Sequence, residues 1–222
     1  FIATREFGRI RVPMNISGTL SLPKDSVLAV ALNNMKVDIA HIPLYGDAHL
    51  RFMSGKTAVK ADLGINRCKV ETLLKDYASH IIPEAGKVST DAEINMTVHA
   101  DGHYDHQTGK LPQMLAELTI PDCSIAYDGF AGQTLKIGFK ADAEVTGSGK
   151  LNMNISKMDA GMHGMELTAV AGADDLLGDD PDLNIDGILL ADLDSLDSFL
   201  PDSLGIQAKG NLSALVKGKA RL

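Results

Sequence analysis

The sequence predicts a mainly β fold: an antiparallel, curved or rolled sheet with two short helices, built from two divergent copies of one unit. Three observations carry this reading. Apolar and polar residues alternate with a period of two along most of the chain, the pattern of strands with one wet face. Glycine is abundant, 21 of 222 residues, and many glycines fall at the ends of alternating runs, where turns and bulges need them. The chain also nearly repeats itself. Met35 and Met158, Gly55 and Gly178, Gly64 and Gly187, Val70 and Leu193, and Leu73 and Leu196 are each 123 positions apart. Further on, Pro83 and Pro201, Val88 and Ile206, Ile94 and Leu212, and Val98 and Val216 are each 118 apart, so the connecting segment is five residues shorter in the second copy. A repeated β-rich unit points to an extended array rather than an enzyme with one unique pocket. The expected division is residues 1–110 and 111–222, the second unit continuous with the first.

The elements follow in chain order. Ile10, Val12, Met14, Ile16, Leu20 and Leu22 share one parity against Arg9, Arg11, Asn15, Thr19 and Ser21, and Pro23, Lys24 and Asp25 then mark a turn. Shorter alternating runs sit at 35–39, 48–52 and 59–65. Val70, Leu73, Leu74 and Tyr77 change the period to that of an amphipathic helix reaching about Ile81, with Pro83 at its end. A strand follows from Val88 through Ala92, Ile94, Met96 and Val98. Runs at 114–120 and 135–145 come next, separated by an Asp128-Gly129 turn signal. Gly147, Ser148 and Gly149 mark the turn to runs at 151–155 and 165–171, and Gly178 to Pro181 another. Leu193, Leu196, Phe199 and Leu200 form the second helical stripe, capped by Asp192 or Asp194 and stopped by Pro201. The last strand alternates from Ile206 to Ala220.

These strands sum to a large apolar face that two short helices cannot cover. A buried Leu or Met is worth roughly 1.5–3 kcal/mol, so such a face does not remain in water. It either folds onto itself as a sandwich or rolled sheet, or forms a groove filled by something apolar.

Composition narrows the classes. The chain is 45% hydrophobic but only 5% aromatic, without Trp, a globular rather than a disordered balance. Net charge is −8. The first 110 residues hold 13 Lys/Arg against 12 Asp/Glu and the remainder 8 against 17, so no clustered basic surface marks a nucleic-acid partner. Cys68 and Cys123 stand in no metal-binding spacing and are read as two buried free thiols rather than a disulfide. The longest apolar run, residues 27–32, is far short of the ~20 residues of a membrane span. No signal peptide is visible, and both ends look cut, so a targeting or anchoring segment is expected outside this stretch.

Point sites are few. His99, Asp101, His103, Asp105 and His106 fall within eight residues and could in principle ligate a divalent metal. Gly102 and Gly109 make the segment read instead as an exposed polar hairpin loop, so no metal is assigned. Asp174, Asp175, Asp179, Asp180 and Asp182 lack the spacing and closing Glu of a calcium loop and read as a solvated acidic loop. Met153, Met158, Met162 and Met165 suit either ordinary core packing or an adaptable apolar wall. Neither a G-x-S-x-G elbow nor a Walker-type phosphate loop is present, and no cofactor or catalytic residue is expected.

One arrangement resembles a known family. A strand with its Gly (Leu183, Asn184, Ile185, Asp186, Gly187) leads to a short helix (Ala191, Asp192, Leu193, Asp194, Ser195, Leu196). Leu200-Pro201 and a long strand from Gly205 to Gly218 follow. This is similar to the repeated C-terminal region of AsmA-family proteins of Gram-negative envelopes. The first copy fits more loosely, through Ala61 to Ile65, Val70 to Leu74, Ile82-Pro83 and Gly86 to Ala100. The short paired strands around residues 118–137 resemble that family as well. The resemblance implies a non-enzymatic, periplasmic segment tethered to the inner membrane elsewhere in its protein. It implies a role in outer-membrane assembly and phospholipid transport along an apolar β-groove. The expected lipid-facing residues are Leu135, Ile137, Phe139, Met153, Met96 and Ile94, and the expected partners are phospholipid acyl chains and envelope proteins. The alternative is a structural or protein-interaction β-scaffold in the periplasm that binds no lipid.

Overall fold

A computed structural model describes residues 2–4, 8–10, 14–21, 28–39, 41–80, 82–127, 133–196 and 209–221. The strands are β1 (Ile2–Thr4), β2 (Gly8–Ile10), β3 (Met14–Ser21), β4 (Ala29–Ile39), β5 (Ile42–Met53) and β6 (Lys56–Lys69). After helix α1 (Val70–Asp76) come β7 (Ser89–Thr90), β8 (Glu93–Asp105), β9 (Gln113–Ala126), β10 (Thr134–Val145), β11 (Leu151–Met162), β12 (Met165–Asp174) and β13 (Asp182–Asp192). Helix α2 (Leu193–Leu196) and β14 (Asn211–Arg221) complete the chain.

β1 and β2 form a small hairpin of their own. Everything from β3 onward is one antiparallel sheet. Its path runs β3-β4-β5-β6-β8-β9-β10-β11-β12-β13-β14, and the two-residue β7 attaches to β9 beside β8. Among the described residues no ladder joins β3 to β14, so the sheet is open rather than a barrel. Each link is a hairpin or a short excursion between neighbours, the economical connection for antiparallel strands. The sheet passes residues 110 and 111 without a break, β8 and β9 pairing on either side of that turn.

The internal repeat is visible in the strands. A shift of 123 carries β4 onto β11, Ile42 at the start of β5 onto Met165 at the start of β12, and Lys69 at the end of β6 onto Asp192 at the end of β13. It carries Val70, the first residue of α1, onto Leu193, the first of α2. A shift of 118 then carries Glu93 at the start of β8 onto Asn211 at the start of β14. β9 and β10 lie between the two copies.

Helix α1 is shorter than its apolar stripe. α1 ends at Asp76, and 3₁₀ turns at Ala78–His80 and Pro83–Lys87 carry the chain to β7. Asp192 caps α2, its carboxylate accepting the Asp194 amide at 3.0 Å and the Ser195 hydroxyl at 2.7 Å. The expected continuation through Phe199, Leu200 and Pro201 lies outside the described residues, as do Val12, the turn signals at Pro23–Asp25 and Asp128-Gly129, and Ile206.

One reading is corrected. The segment from His99 to Asp105 is not a hairpin loop but the second half of β8, paired with β6 from Asp62 to Lys56. Gly102 suggested a loop because glycine usually punctuates strands. Here it stays in the ladder opposite Val59 with φ of +133°, a conformation only glycine adopts readily. The turn lies beyond it, where the Asp105 carboxylate accepts the amides of Gln107 and Thr108.

Candidate functional site

Residues opposite one another in an antiparallel ladder point to the same side of the sheet. Following the registers from β4 to β14 therefore assigns every side chain of ten strands to one of two faces. One face is built from runs such as Leu44, Ala48 and Leu50 in β5; Val59, Ala61 and Leu63 in β6; and Ile137, Phe139 and Ala141 in β10. Across all ten strands it holds no charged side chain. The opposite face holds Asp47, Lys60, Asp62, Asp101, Lys136, Glu144, Glu166, Asp186 and Lys217 among many others.

Strict alternation would not produce this face, because the apolar parity switches within four strands. It passes from Val30 and Leu32 to Met35 and Val37 in β4, and from Leu63 and Ile65 to Cys68 in β6. It passes from Leu118 and Ile120 to Cys123 and Ile125 in β9, and from Met153 and Ile155 to Met158 and Ala160 in β11. Each switch coincides with a bulge. Asn33 and Asn34 oppose Asp47, Asn66 and Arg67 oppose Asn95, Pro121 and Asp122 oppose Gly138, and Ser156 and Lys157 oppose Val170. Two residues against one restore the apolar residues to the same side and bend and twist the strand. The bulges of β4 and β11 are themselves 123 residues apart, so they belong to the repeat.

Among the described residues no second layer of strands covers this face. Strand packing runs between sheet neighbours, and no large side chain is fully buried among the described residues. The well-buried positions on the face are small residues shielded by larger neighbours on adjacent strands, such as Ala61, Ala100, Ala141, Ala169 and Ala173. Large residues beside them, among them Phe52, Met153, Ile185 and Leu212, remain more than a third exposed. Among the described residues the sheet is thus a single open layer rather than a closed sandwich. Ten strands at ~4.8 Å spacing extend the face over roughly 45 Å, well past the few hundred Å² of apolar patch that ordinary monomers expose.

The face dips over β11 to β14. Met153, Ile155, Ala171, Ala173, Leu183 and Ile185 line a hollow of about 410 Å³, within the range of small-molecule sites. It exists because Ala171 and Ala173 sit low between the larger side chains of β11 and β13, and because Gly218 and Ala220 leave the β14 wall short.

All six expected lipid-facing residues lie on the apolar face. Ile94 and Met96 stand on β8, Leu135, Ile137 and Phe139 on β10, and Met153 on β11 at the hollow. Met158, Met162 and Met165 share that face. Cys68 and Cys123 are there too, both free and buried, and burial pushes both thiols above their ordinary range.

The polar face is held by cross-strand pairs. Arg221 grips Asp182 with two bonds of 2.9 and 3.1 Å, Lys217 reaches Asp186 at 3.2 Å, and Lys157 bridges Asp122 and Asp159. His99 of β8 pairs with Asp62, and His106 in the turn after β8 bonds the Thr57 hydroxyl at 2.8 Å, so these histidines have different partners rather than one centre. Among the described residues no three His, Cys, Asp or Glu side chains converge as metal ligands would. The acidic segment is partly neutralised, Asp175 by Lys150 and Asp182 by Arg221.

Sequence reasoning missed a second apolar group. Val170, Ile188, Leu190 and Leu215 lie exposed on the polar face of β12, β13 and β14. The signal was the unbroken run Ile188, Leu189, Leu190, which marks a strand apolar on both sides. Comparison with known proteins gave no matching family model, no matching curated protein and no matching solved structure.

Proposed function

We propose that this chain is a non-enzymatic segment of an AsmA-like envelope protein, and that its open face shelters phospholipid acyl chains during outer-membrane assembly. In this reading it works in the periplasm, tethered to the inner membrane by a segment outside these residues. One observation supports it above the others: ten strands present a continuous uncharged face, with no second layer over it among the described residues. Covering each exposed Leu, Ile or Met there is worth on the order of 1–2 kcal/mol, so the face favours an apolar occupant. A protein layer would satisfy it once and for all. Acyl chains satisfy it reversibly, since hydrocarbon has no donors or acceptors to misplace and can slide along an uncharged surface. The bilayer core is ~30 Å thick, so one chain spans about 15 Å, and the face is long enough for several side by side.

The test is native mass spectrometry of the purified chain with phospholipid. Stoichiometric lipid adducts are expected, and they should disappear in Ile137→Asp, Phe139→Asp and Met153→Glu while circular dichroism keeps its β signal. Met153 is 41% exposed, so its variant should fold even if the β10 variants do not. A chain that takes up no phospholipid from mixed vesicles, with the wild-type fold intact, would overturn the reading.

A second reading, a β-scaffold for another envelope protein, is favoured by the exposed Ile188, Leu190 and Leu215 on the polar face. It predicts binding that survives Met153→Glu and is lost on Ile188→Asp.

A further inference from the structure

Ala58 of β6 lies on the polar face, and its four nearest neighbours there are all basic. Arg51 of β5 stands directly opposite it on one side and His103 of β8 on the other, while Lys56 and Lys60 flank it along β6 itself. Directly opposed residues are about 5 Å apart and next-but-one residues along a strand about 6.8 Å, so all four side chains reach the space above one methyl group. His49, opposite Lys60, is a diagonal neighbour. Ala29 and Ala31 of β4 continue the low floor past β5, and the hollow over these alanines measures about 290 Å³.

Elsewhere on this face cations are matched by acids, as Arg221 is by Asp182 and Lys157 by Asp122. Around Ala58 the matching is incomplete. Asp105 takes Lys56 at 3.7 Å and is further occupied by the amides of Gln107 and Thr108. Asp47 is held by the Asn34 amide. Asp101 stands opposite Lys60, yet no ion pair joins them, and among the described residues Arg51 and Lys60 have no ionic or hydrogen-bonded side-chain partner. Like charges set side by side in a sheet are destabilising. A shift of 123 carries Arg51 onto Asp174 and Lys56 onto Asp179, so the repeated fold does not itself ask for bases at these positions. The cluster stands on β5, β6 and β8, inside the sheet rather than at either edge.

We infer that this cluster binds a phosphate-bearing anion, seated over Ala58. Arg51 supplies a planar fork that matches two phosphate oxygens, Lys60 a point charge beside it, and His103 and His49 ring N–H donors. The alanine methyls leave the anion room that longer side chains would fill. The apolar face is on the other side of the sheet, so the inference does not rest on acyl-chain binding. The same chemistry is carried by a soluble phosphate monoester and by the headgroup of an anionic phospholipid.

The test is a titration of the isotope-labelled chain with glycerol phosphate in low salt, followed by NMR. Saturable shifts of the Ala58 amide and the Arg51 Nε–H are expected, with a dissociation constant in the millimolar range for a few charge-assisted bonds. Arg51→Gln and Lys60→Gln should each weaken binding about tenfold. Arg51→Lys should also weaken it, having charge but no fork, and Lys36→Gln, on the same face at β4, should change nothing. Ala58→Glu sets a carboxylate among the same bases, so it should abolish binding and raise the melting temperature, whereas Ala58→Lys should lower that temperature. Sedimentation with vesicles of phosphatidylglycerol in phosphatidylcholine separates the two sources. Saturable glycerol phosphate binding makes the ligand a soluble monoester. Vesicle binding without it, lost in Arg51→Gln but kept in Met153→Glu, makes the ligand a lipid headgroup. The inference fails if neither ligand binds, or if Arg51→Gln and Lys36→Gln weaken binding alike, since that is diffuse charge attraction rather than a site.

Discussion

The backbone amide of Asn34 is bonded to Oδ1 of Asp47 at 2.8 Å, across the bulge of β4. Arg67 makes the same bond to Oδ1 of Asn95 at 2.9 Å, across the bulge of β6. Asn34 and Arg67 both have left-handed backbone, with φ of 51° and 53°. A bulge leaves an amide without a ladder partner, and in each case the single opposing residue supplies a side-chain acceptor. Asp47→Ala and Asn95→Ala should therefore each lower stability by about 1 kcal/mol, read as a lower urea midpoint at unchanged slope. The two losses should add, because the bulges share no partner. Asp47→Asn keeps the acceptor and should lose much less. Equal losses for Asp47→Asn and Asp47→Ala would assign the effect to charge rather than to the bond.

Beside the first bulge, Gly46 has φ of +138°, and a Cβ there would sit 1.9 Å from the Asp62 carbonyl oxygen. No side-chain movement relieves a clash with backbone. Gly46→Ala should force β5 and β6 apart and cost several kcal/mol, seen as loss of cooperative thermal unfolding. Gly55→Ala, at a turn where a Cβ meets nothing within 4 Å, carries only the strain of its φ of +75° and should be far milder.

Much of this architecture was readable from the residues. Alternation located most of the strands, and the shift of 123 matched elements that the fold sets in equivalent places. The bulges were present in the sequence as changes of apolar parity, as at Leu32 to Met35 and Ile155 to Met158. Such a change reads equally well as the end of one strand and the start of another, so only the ladder distinguishes the two. That the described residues form a single layer was not readable at all. An apolar strand face has the same pattern whether a second sheet covers it or not, and that depends on how far the bulges bend the sheet. Asp101, His103 and Asp105 failed for a local reason: Gly102 stays within a strand because Val59 pairs with it. The hollow depends on Ala171 and Ala173 being flanked by larger residues two strands apart, a relationship set by register rather than by sequence neighbours.

The carboxylates that hold the polar face and its turns titrate low. Bonds from the amides of Thr108 and Gln107 lower Asp105, the Arg221 guanidinium lowers Asp182, and the Arg67 guanidinium lowers Glu93. A carboxyl whose folded pKa lies below its unfolded one stabilises the fold above the unfolded value, and this is lost as pH falls through the folded value. Unfolded Asp and Glu titrate near pH 4, so the urea midpoint should be level from about pH 7 to 5 and fall below about 4. Molar salt should shrink that fall for the Arg pairs more than for Asp105, which is lowered chiefly by backbone amides and only weakly by Lys56. A midpoint that rises on acidification would refute the assignment.

Cys68 is 2% exposed and its thiol contacts the His41 carbonyl; Cys123 is 8% exposed on the same face. The thiolate is the reactive form, and burial disfavours it at both sites. Both cysteines should resist a disulfide-exchange reagent in the native chain and react fully in urea, the rate following unfolding. Phospholipid should leave Cys68 unchanged, since neighbouring side chains already shield it. Rapid native labelling of Cys68 would mean that the end of the face near α1 opens.

The hollow offers the sharpest separation between a working apolar surface and a merely incomplete core. Ala171 stands between Ile155 of β11 and Ile185 of β13, with open space above it. Added methylenes at Ala171→Leu would enter that space and touch apolar neighbours, each worth up to about 0.8 kcal/mol. The variant should therefore be as stable as wild type or slightly more so. In a packed core the same change is overpacking and costs about 1–3 kcal/mol. If acyl chains occupy the hollow, Ala171→Leu should also reduce phospholipid adducts several-fold while raising the melting temperature, a combination that ordinary core packing does not produce. Unchanged adducts at unchanged stability would place the lipid elsewhere along the face, towards Ile94, Met96 and Phe139, where Met96→Asp is the next substitution to make.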